Sequence, residues 1–212
     1  MELRQRLAQA RLYYVTGGAS RGRSVERTVE AALKGGVDIV QMRLKNVPDG
    51  ELLALAHALR KLTSQAGALF IVNDRADLAL LCGADGVHVG QDDLPPKDAR
   101  SLIGPDRLMG ISTHDPGQFR RAVADGADYL GVGPVYATPT KAGRQAVGLA
   151  YVREAAAIAG DIPWFAIGGI DAGNIADVAG SGARRVAVVR ALSESVDPAE
   201  AARSLKARLT GL

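Results

Sequence analysis

A chain of 212 residues can bury roughly 70–75% of its unfolded surface, so it supports a core without disulfide or metal staples, and a single domain over 1–212 is the default. Hydrophobic content of 47% with 4% aromatics, 25 Gly and 9 Pro excludes the disordered and fibrous classes and suits an Ala/Val/Leu-rich α/β protein. The 26 basic and 23 acidic residues, net +3, are interspersed rather than gathered into a stripe, which argues against a nucleic-acid partner. The lone cysteine, Cys82, permits no intrachain disulfide and points to a reducing cytoplasm. No signal-type core and no run of eighteen apolar residues occurs, so a soluble protein with no membrane partner is expected.

In chain order, Leu12-Tyr13-Tyr14-Val15 is a short β-rich run closed by Thr16-Gly17-Gly18. Ser24 caps a predicted helix over Val25 to Lys34 that stops at Gly35-Gly36. Asp38 to Arg43 is the second strand, with Gln41, Arg43 and then Lys45 at intervals of two, so one face of its far end is polar and basic. A helix runs from Pro48 to about Ala66. Leu69 to Val72 and Val87 to Val89 are the third and fourth strands, separated by a helix over Arg75 to Gly83, and each ends abruptly in polar residues. Another helix follows Pro95-Pro96 to Ile103. Leu108 to Ile111 is strand five, ending in Ser112, and Asp115 to Asp125 is helical. Tyr129 to Val132, Trp164 to Ile167 and Val186 to Val189 are strands six to eight. Helices are expected over Leu149 to Ala159, Asn174 to Ala179 and Pro198 to Leu209.

Eight strand–helix units with short connections predict a parallel (β/α)₈ barrel, an α/β fold near its small size limit, with an open doubly wound sheet as runner-up. A weak repeat supports the count: Gly36-Val37-Asp38, Gly83-Ala84-Asp85, Gly126-Ala127-Asp128 and Gly182-Ala183-Arg184 each precede a strand. No Gly-x-Gly-x-x-Gly follows the first strand, and polar strand-end residues recur on nearly every unit, as they would around a ring.

Three groups of residues at those strand ends carry chemistry. Asp74 and Asp93 end adjacent strands; two carboxylates there repel unless a cation lies between them, and hard oxygen donors without His or Cys suit Mg²⁺. The alternative is that Asp74 caps a helix and Asp93 decorates a loop. Gln41, Arg43 and Lys45 offer an amide and two cations, natural partners of a polyanion, the alternative being a salt-bridge layer inside the barrel. The third group is the loop from Gly133 to Lys141 with Thr138, Thr140 and Lys141, together with Gly168-Gly169 and Val189-Arg190. Thr hydroxyls, a Lys and glycine amides suit a phosphate monoester, and loops after strands seven and eight are a common phosphate site of such barrels. A flexible surface loop is the alternative. Among the histidines, His57 reads as a surface or packing residue, His88 as a satisfied barrel histidine, and His114 as a strand-end residue able to approach a substrate. No His-rich metal pattern, nucleophile elbow, P-loop or partnered Cys is present.

With these residues in view, Gln41-Met42-Arg43-Leu44-Lys45, Asn73-Asp74-Arg75, Gly86 to Asp93, Gly110-Ile111-Ser112, Gly133-Pro134-Val135, Thr138 to Lys141 and Gly168-Gly169-Ile170 resemble the thiamine-phosphate synthase family, in the family's order and over nearly the whole chain. The resemblance implies a barrel that joins 4-amino-5-hydroxymethyl-2-methylpyrimidine pyrophosphate to 4-methyl-5-(2-phosphoethyl)thiazole and releases pyrophosphate. It implies that Gln41, Arg43, Lys45 and Asn73 hold the pyrimidine pyrophosphate, that Asp74 and Asp93 hold its Mg²⁺, and that Ser112 contacts the pyrimidine. Thr138, Thr140, Lys141, Gly169, Val189 and Arg190 would surround the thiazole phosphate, with Lys141 also near the leaving group and Arg43, Lys45 and Lys141 assisting its departure. Leu44 stands where the family often has Glu, and Arg190 where many members have Ser. The expected partners are therefore two small molecules; the oligomeric state is open, a homo-oligomer included. Two rivals are a thiazole tautomerase, whose members carry a His where this chain has Pro134, and a non-catalytic sensor of thiamine precursors.

Overall fold

The structure is a computed structural model describing residues 2–139 and 145–210. Eight parallel strands close into one barrel in sequential order: β1 (Leu12–Val15), β2 (Ile39–Met42), β3 (Leu69–Asn73), β4 (Gly86–Val89), β5 (Leu108–Thr113), β6 (Tyr129–Val132), β7 (Trp164–Ile167) and β8 (Val186–Val188). Closure is made by β8 pairing with β1, Tyr13 opposite Ala187. The open doubly wound sheet is thereby excluded.

The strands are nearly continuous apolar runs because both faces are covered. Tyr13, Val15, Ile39, Leu69, Ile71, Leu108, Tyr129, Phe165 and Ala187 pack as one cluster inside the barrel. Leu12, Tyr14, Val40, Phe70, Val72, Val87 and Leu130 belong to the larger cluster between the sheet and the outer helices. These helices include α2 (Val25–Lys34), α3 (Asp49–Ala66), α4 (Ala76–Leu81), α5 (Pro96–Ile103), α6 (Pro116–Ala124), α7 (Gly148–Ile158), α8 (Ile175–Gly180) and α10 (Pro198–Thr210). Local signals explain their bounds: Ser24 and Asp115 accept from the N–H groups three residues on, and Gly67 ends α3 in the left-handed conformation.

Two helices were not foreseen. α1 (Leu3–Gln9) places Leu7 against the barrel-interior cluster at 1% exposure. It is tied down by Arg4 on Asp128 and by Arg185 donating to the Ala8 carbonyl. The N-terminal end of the barrel is thus stoppered, which leaves the C-terminal end for a ligand. α9 (Arg190–Ser193) is a single turn after β8; a segment that short gives no periodicity to read.

The Gly-x-Asp repeat acquires a physical reason. Asp38, Asp85 and Asp128 each stand just before an even-numbered strand and accept a backbone N–H from the preceding strand: Leu12 at 3.0 Å, Phe70 at 2.8 Å and Met109 at 2.8 Å. Each also holds a cation on the outer layer, Lys206 at 2.6 Å, Arg60 at 2.8 Å and Arg100 at 2.6 Å. The aspartates therefore staple helix to sheet at the base of the barrel. At the fourth repeat, Arg184 takes the aspartate's place and the neighbouring Arg185 reaches α1 instead.

Candidate active site

A cavity of about 230 Å³ opens at the C-terminal mouth of the barrel. Its walls contain Gln41, Arg43, Asn73 and Ser112 from β2 to β5, and Thr138, Gly169, Val189 and Arg190 from the segments after β6 to β8. Eight of the residues singled out in the sequence thus meet around one space. They divide by position: the set assigned to the pyrimidine side occupies one arc, and the set assigned to the thiazole side the other.

Other residues fall elsewhere. Strand β2 ends at Met42, so the alternation that aims Gln41 inward does not extend to Lys45, which is exposed and absent from the cavity wall. Leu44 packs against the outer cluster. Asp74 directly follows β3 and Asp93 lies in the loop after the neighbouring β4, and neither is among the residues that line the cavity. The Asp74 backbone, at a φ of 62°, donates to the His88 carbonyl at 2.8 Å, and the Asp93 carboxylate accepts from Gly90 N–H at 2.7 Å. Thr140 and Lys141 lie outside the described residues, as does the middle of the segment between Gly133 and Gly148.

The backbone explains how the walls come close. Gly168 and Gly169 have φ of 106° and 65°, and a Cβ on Gly168 would lie 2.5 Å from Pro134. Only glycine fits both conditions, and the result is that Val135 and Tyr136 bond to the carbonyls of Ile167 and Gly168. On the opposite side, Thr16 Oγ1 accepts from Arg43 N–H at 2.9 Å, and Gln91 donates to the Ser112 carbonyl at 2.7 Å, which fixes two strand ends bearing site residues.

The floor of the cavity is a connected line of polar side chains. Gln41 Nε2 donates to the Tyr13 hydroxyl at 2.7 Å, the Tyr13 and Tyr129 oxygens are 2.9 Å apart, Tyr129 lies 3.2 Å from His88 Nδ1, and His88 Nε2 lies 2.9 Å from Ser112 Oγ. Burial pushes both phenols well above the ordinary tyrosine range, so they remain protonated. Phe165 stacks edge-on against both rings, with centroids 5.2 and 5.9 Å away. Tyr13, Tyr129 and Phe165 were missed as site residues because each reads as an ordinary apolar strand residue. His88 was recognised as a satisfied barrel histidine, and the structure shows it doing so while lining the cavity. His114, expected near a substrate, instead bonds through Nδ1 to the Gly133 carbonyl.

Arg43 has no ion-pair partner among the described residues, so the salt-bridge-layer alternative is not realised at this position. Arg190 sits 4.0 Å from Glu194, an exposed i,i+4 pair of little energetic consequence. No group of three or more His, Cys, Asp or Glu that could enclose a metal occurs among the described residues. Nor is any of their helices long and apolar enough to cross a membrane.

Comparison with known proteins agrees with this arrangement. A family model described as thiamine monophosphate synthase matches residues 12–192. The thiamine-phosphate synthase of Gloeobacter violaceus is 56% identical over 197 residues, 93% of this chain, although the chain spans only 57% of that relative's length. That of Thermus thermophilus is 51% identical over 205 residues, covering 95% of this chain and 98% of its own length. A thiamine phosphate pyrophosphorylase from Pyrococcus furiosus superposes with a TM-score of 0.88 at 35% identity, covering 99% of this chain and 98% of the other. With a closed barrel, the motif residues gathered at its mouth and these likenesses, the chain belongs to the thiamine monophosphate synthase family.

Proposed function

We propose that this chain joins 4-amino-5-hydroxymethyl-2-methylpyrimidine pyrophosphate to 4-methyl-5-(2-phosphoethyl)thiazole, giving thiamine phosphate and pyrophosphate. The observation that carries the reading is the single cavity whose two arcs hold the two residue sets, because a condensation requires both reactants in one space. Its floor offers the apolar ring surface of Tyr13, Tyr129 and Phe165 to a heteroaromatic ring. Arg43 supplies a guanidinium with no ion-pair partner among the described residues beside that floor, suited to a diphosphate, and Lys45, exposed and off the cavity wall, is a second cation two residues on. Asn73 adds an amide to this arc. Across the cavity, Thr138, Gly169, Val189 and Arg190 surround the space for the thiazole phosphate, and the family resemblance assigns Thr140 and Lys141 to the same ligand.

The donor chemistry at the rim fits Mg²⁺. Asp74 and Asp93 are hard oxygen donors on adjacent strand ends, and one Asp93 oxygen is held by Gly90. When bound, Mg²⁺ would neutralise charge on the departing pyrophosphate. Attack needs no general base. The C–O bond to the pyrimidinylmethyl carbon breaks with its electron pair on pyrophosphate, and the thiazole nitrogen lone pair then forms the C–N bond, leaving a thiazolium and no proton to remove. What this chain's residues supply is leaving-group stabilisation by Arg43, Lys45 and Lys141, orientation of two rings, and exclusion of water that would capture the cation.

The test is pyrophosphate release with both substrates, with and without Mg²⁺, beside a control lacking the thiazole phosphate. Release that needs every component and yields thiamine phosphate supports the reading. Its absence from folded protein overturns it.

A further inference from the structure

The line Gln41–Tyr13–Tyr129–His88–Ser112 has a property that none of its members has alone. Each phenol carries one proton, and a neutral imidazole carries one, so all four links can be made with every phenol proton used only if every donor points the same way. Gln41 offers Nε2, a donor, to Tyr13. Tyr13 must then donate to Tyr129, and Tyr129 to Nδ1 of His88, which leaves the His88 proton on Nε2, donated to Ser112 Oγ. The Ser112 proton is thereby turned out of the line, and Gln41 keeps Oε1 as its acceptor end. Turning the Gln41 amide over would reverse every link at once, making Gln41 a donor and Ser112 an acceptor toward a ligand. A mixed arrangement makes all four links only by having one phenol oxygen accept twice, which leaves that phenol's proton without an acceptor in the line.

Burial enforces this. Gln41 is 3% exposed, Tyr13 2% and Tyr129 1%, so a mismatched link would strand a polar atom away from water. The space has also been cleared for the contact between Tyr129 and His88: a Cβ on Gly110 would lie 2.2 Å from the Tyr129 ring and 2.5 Å from His88 Nδ1. Both ends of the line reach the cavity wall, Gln41 on β2 and Ser112 on β5.

We propose that Tyr13 and Tyr129, acting through His88, are positioning residues that lock the hydrogen-bonding polarities of Gln41 and Ser112 to each other, so that the floor presents a matched acceptor and donor to one ring. This inference rests on the reading of the site as a pyrimidine site. An aminopyrimidine complements the pair, its amino group donating to Gln41 and a ring nitrogen accepting from Ser112. The oxo counterpart inverts both, carbonyl for amine and N–H for ring nitrogen, and sets its carbonyl against the Gln41 Oε1, acceptor against acceptor, unless the whole line reverses.

Two measurements test it. The first needs no turnover: ¹⁵N-resolved NMR of His88 in the ligand-free protein should show a neutral ring with its proton on Nε2, and Tyr129→Phe or Tyr13→Phe should give a mixture of tautomers. A proton on Nδ1 in the unaltered protein, or an unchanged single tautomer in both variants, overturns the proposal. The second compares kcat/KM for the aminopyrimidine pyrophosphate with that for its oxo analogue. In Tyr129→Phe the amino-over-oxo preference should fall on the order of tenfold, the worth of one buried hydrogen bond, while KM for the thiazole phosphate stays put. An unaltered preference in folded Tyr129→Phe and Tyr13→Phe overturns it. If the unaltered protein makes no thiamine phosphate, the functional reading has failed, and the tautomer measurement still decides the relay by itself.

Discussion

Gly110 and Tyr129 are neighbours across β5 and β6, and the hydrogen of Gly110 faces the phenol so closely that a methyl group there would overlap the ring, 2.2 Å from Cζ. Gly110→Ala should therefore cost about 1–3 kcal/mol or more, since an overpacked interior must shift side chains or backbone to relieve the overlap. The expected signature is a lower denaturant midpoint together with a raised KM for the pyrimidine pyrophosphate. Gly18→Ala, where a Cβ meets nothing within 4 Å, should leave both unchanged.

The two arcs of the cavity predict a split in kinetic effects. Arg43→Ala should lower kcat/KM by roughly 10- to 100-fold, the scale of one lost charge-assisted hydrogen bond, with the KM change falling on the pyrimidine pyrophosphate. Arg190→Ala should raise KM for the thiazole phosphate instead. Steady-state kinetics with each substrate varied in turn checks this, and identical effects of both variants on both substrates would refute the division.

Asp93→Ala should remove most of the Mg²⁺ dependence of turnover while leaving the fold close to intact, because the carboxylate is exposed and bonds only its own loop through Gly90. A Mg²⁺ titration of activity measures it. Dependence unchanged from the unaltered protein would take Asp93 out of the metal assignment.

At the other end of the barrel, Asp85 is a structural aspartate. Its Oδ2 accepts from Phe70 N–H and from Arg60, both at 2.8 Å, and its side chain is 6% exposed. Asp85→Ala leaves a buried N–H and a partly buried guanidinium without their acceptor, for which about 3–5 kcal/mol of destabilisation is expected in chemical denaturation. Asp85→Asn, which keeps an acceptor for Phe70, should cost less.

Alkaline stability carries a definite sign. Burial holds the Tyr13, Tyr14 and Tyr129 phenols above their ordinary value, so the folded protein keeps protons that the unfolded chain gives up near pH 10. Their contribution is full below that pH and declines as pH rises beyond it. The melting temperature should fall steeply above about pH 10, where the unfolded phenols titrate. Phenolate absorbance from these three should appear with unfolding rather than ahead of it. In Tyr14→Phe the alkaline fall should be shallower.

Much of the architecture was legible in the sequence, because apolar strand runs, glycine helix stops and the recurring Gly-x-Asp before a strand are local patterns that each unit writes separately. Gln41, Arg43, Asn73 and Ser112 could be picked out since a polar residue interrupting or ending an apolar strand is conspicuous in one dimension. Lys45 shows where such reasoning stops: strict alternation requires extended backbone, and β2 ends at Met42, three residues before Lys45, which lines no part of the cavity.

The sequence by itself determined eight strand–helix units, their parallel order and the residue types at the strand ends, all consequences of short-range periodicity and turn chemistry. Only the tertiary structure decided that α1 stoppers one end, that the motif residues surround one cavity in two arcs, and that Tyr13 and Tyr129 join Gln41 to Ser112. Those partners are separated by 28, 116 and 41 residues along Gln41–Tyr13, Tyr13–Tyr129 and Tyr129–His88. A hydroxyl on an apolar strand carries no sign of its partner until barrel closure brings the opposing strands within hydrogen-bond reach.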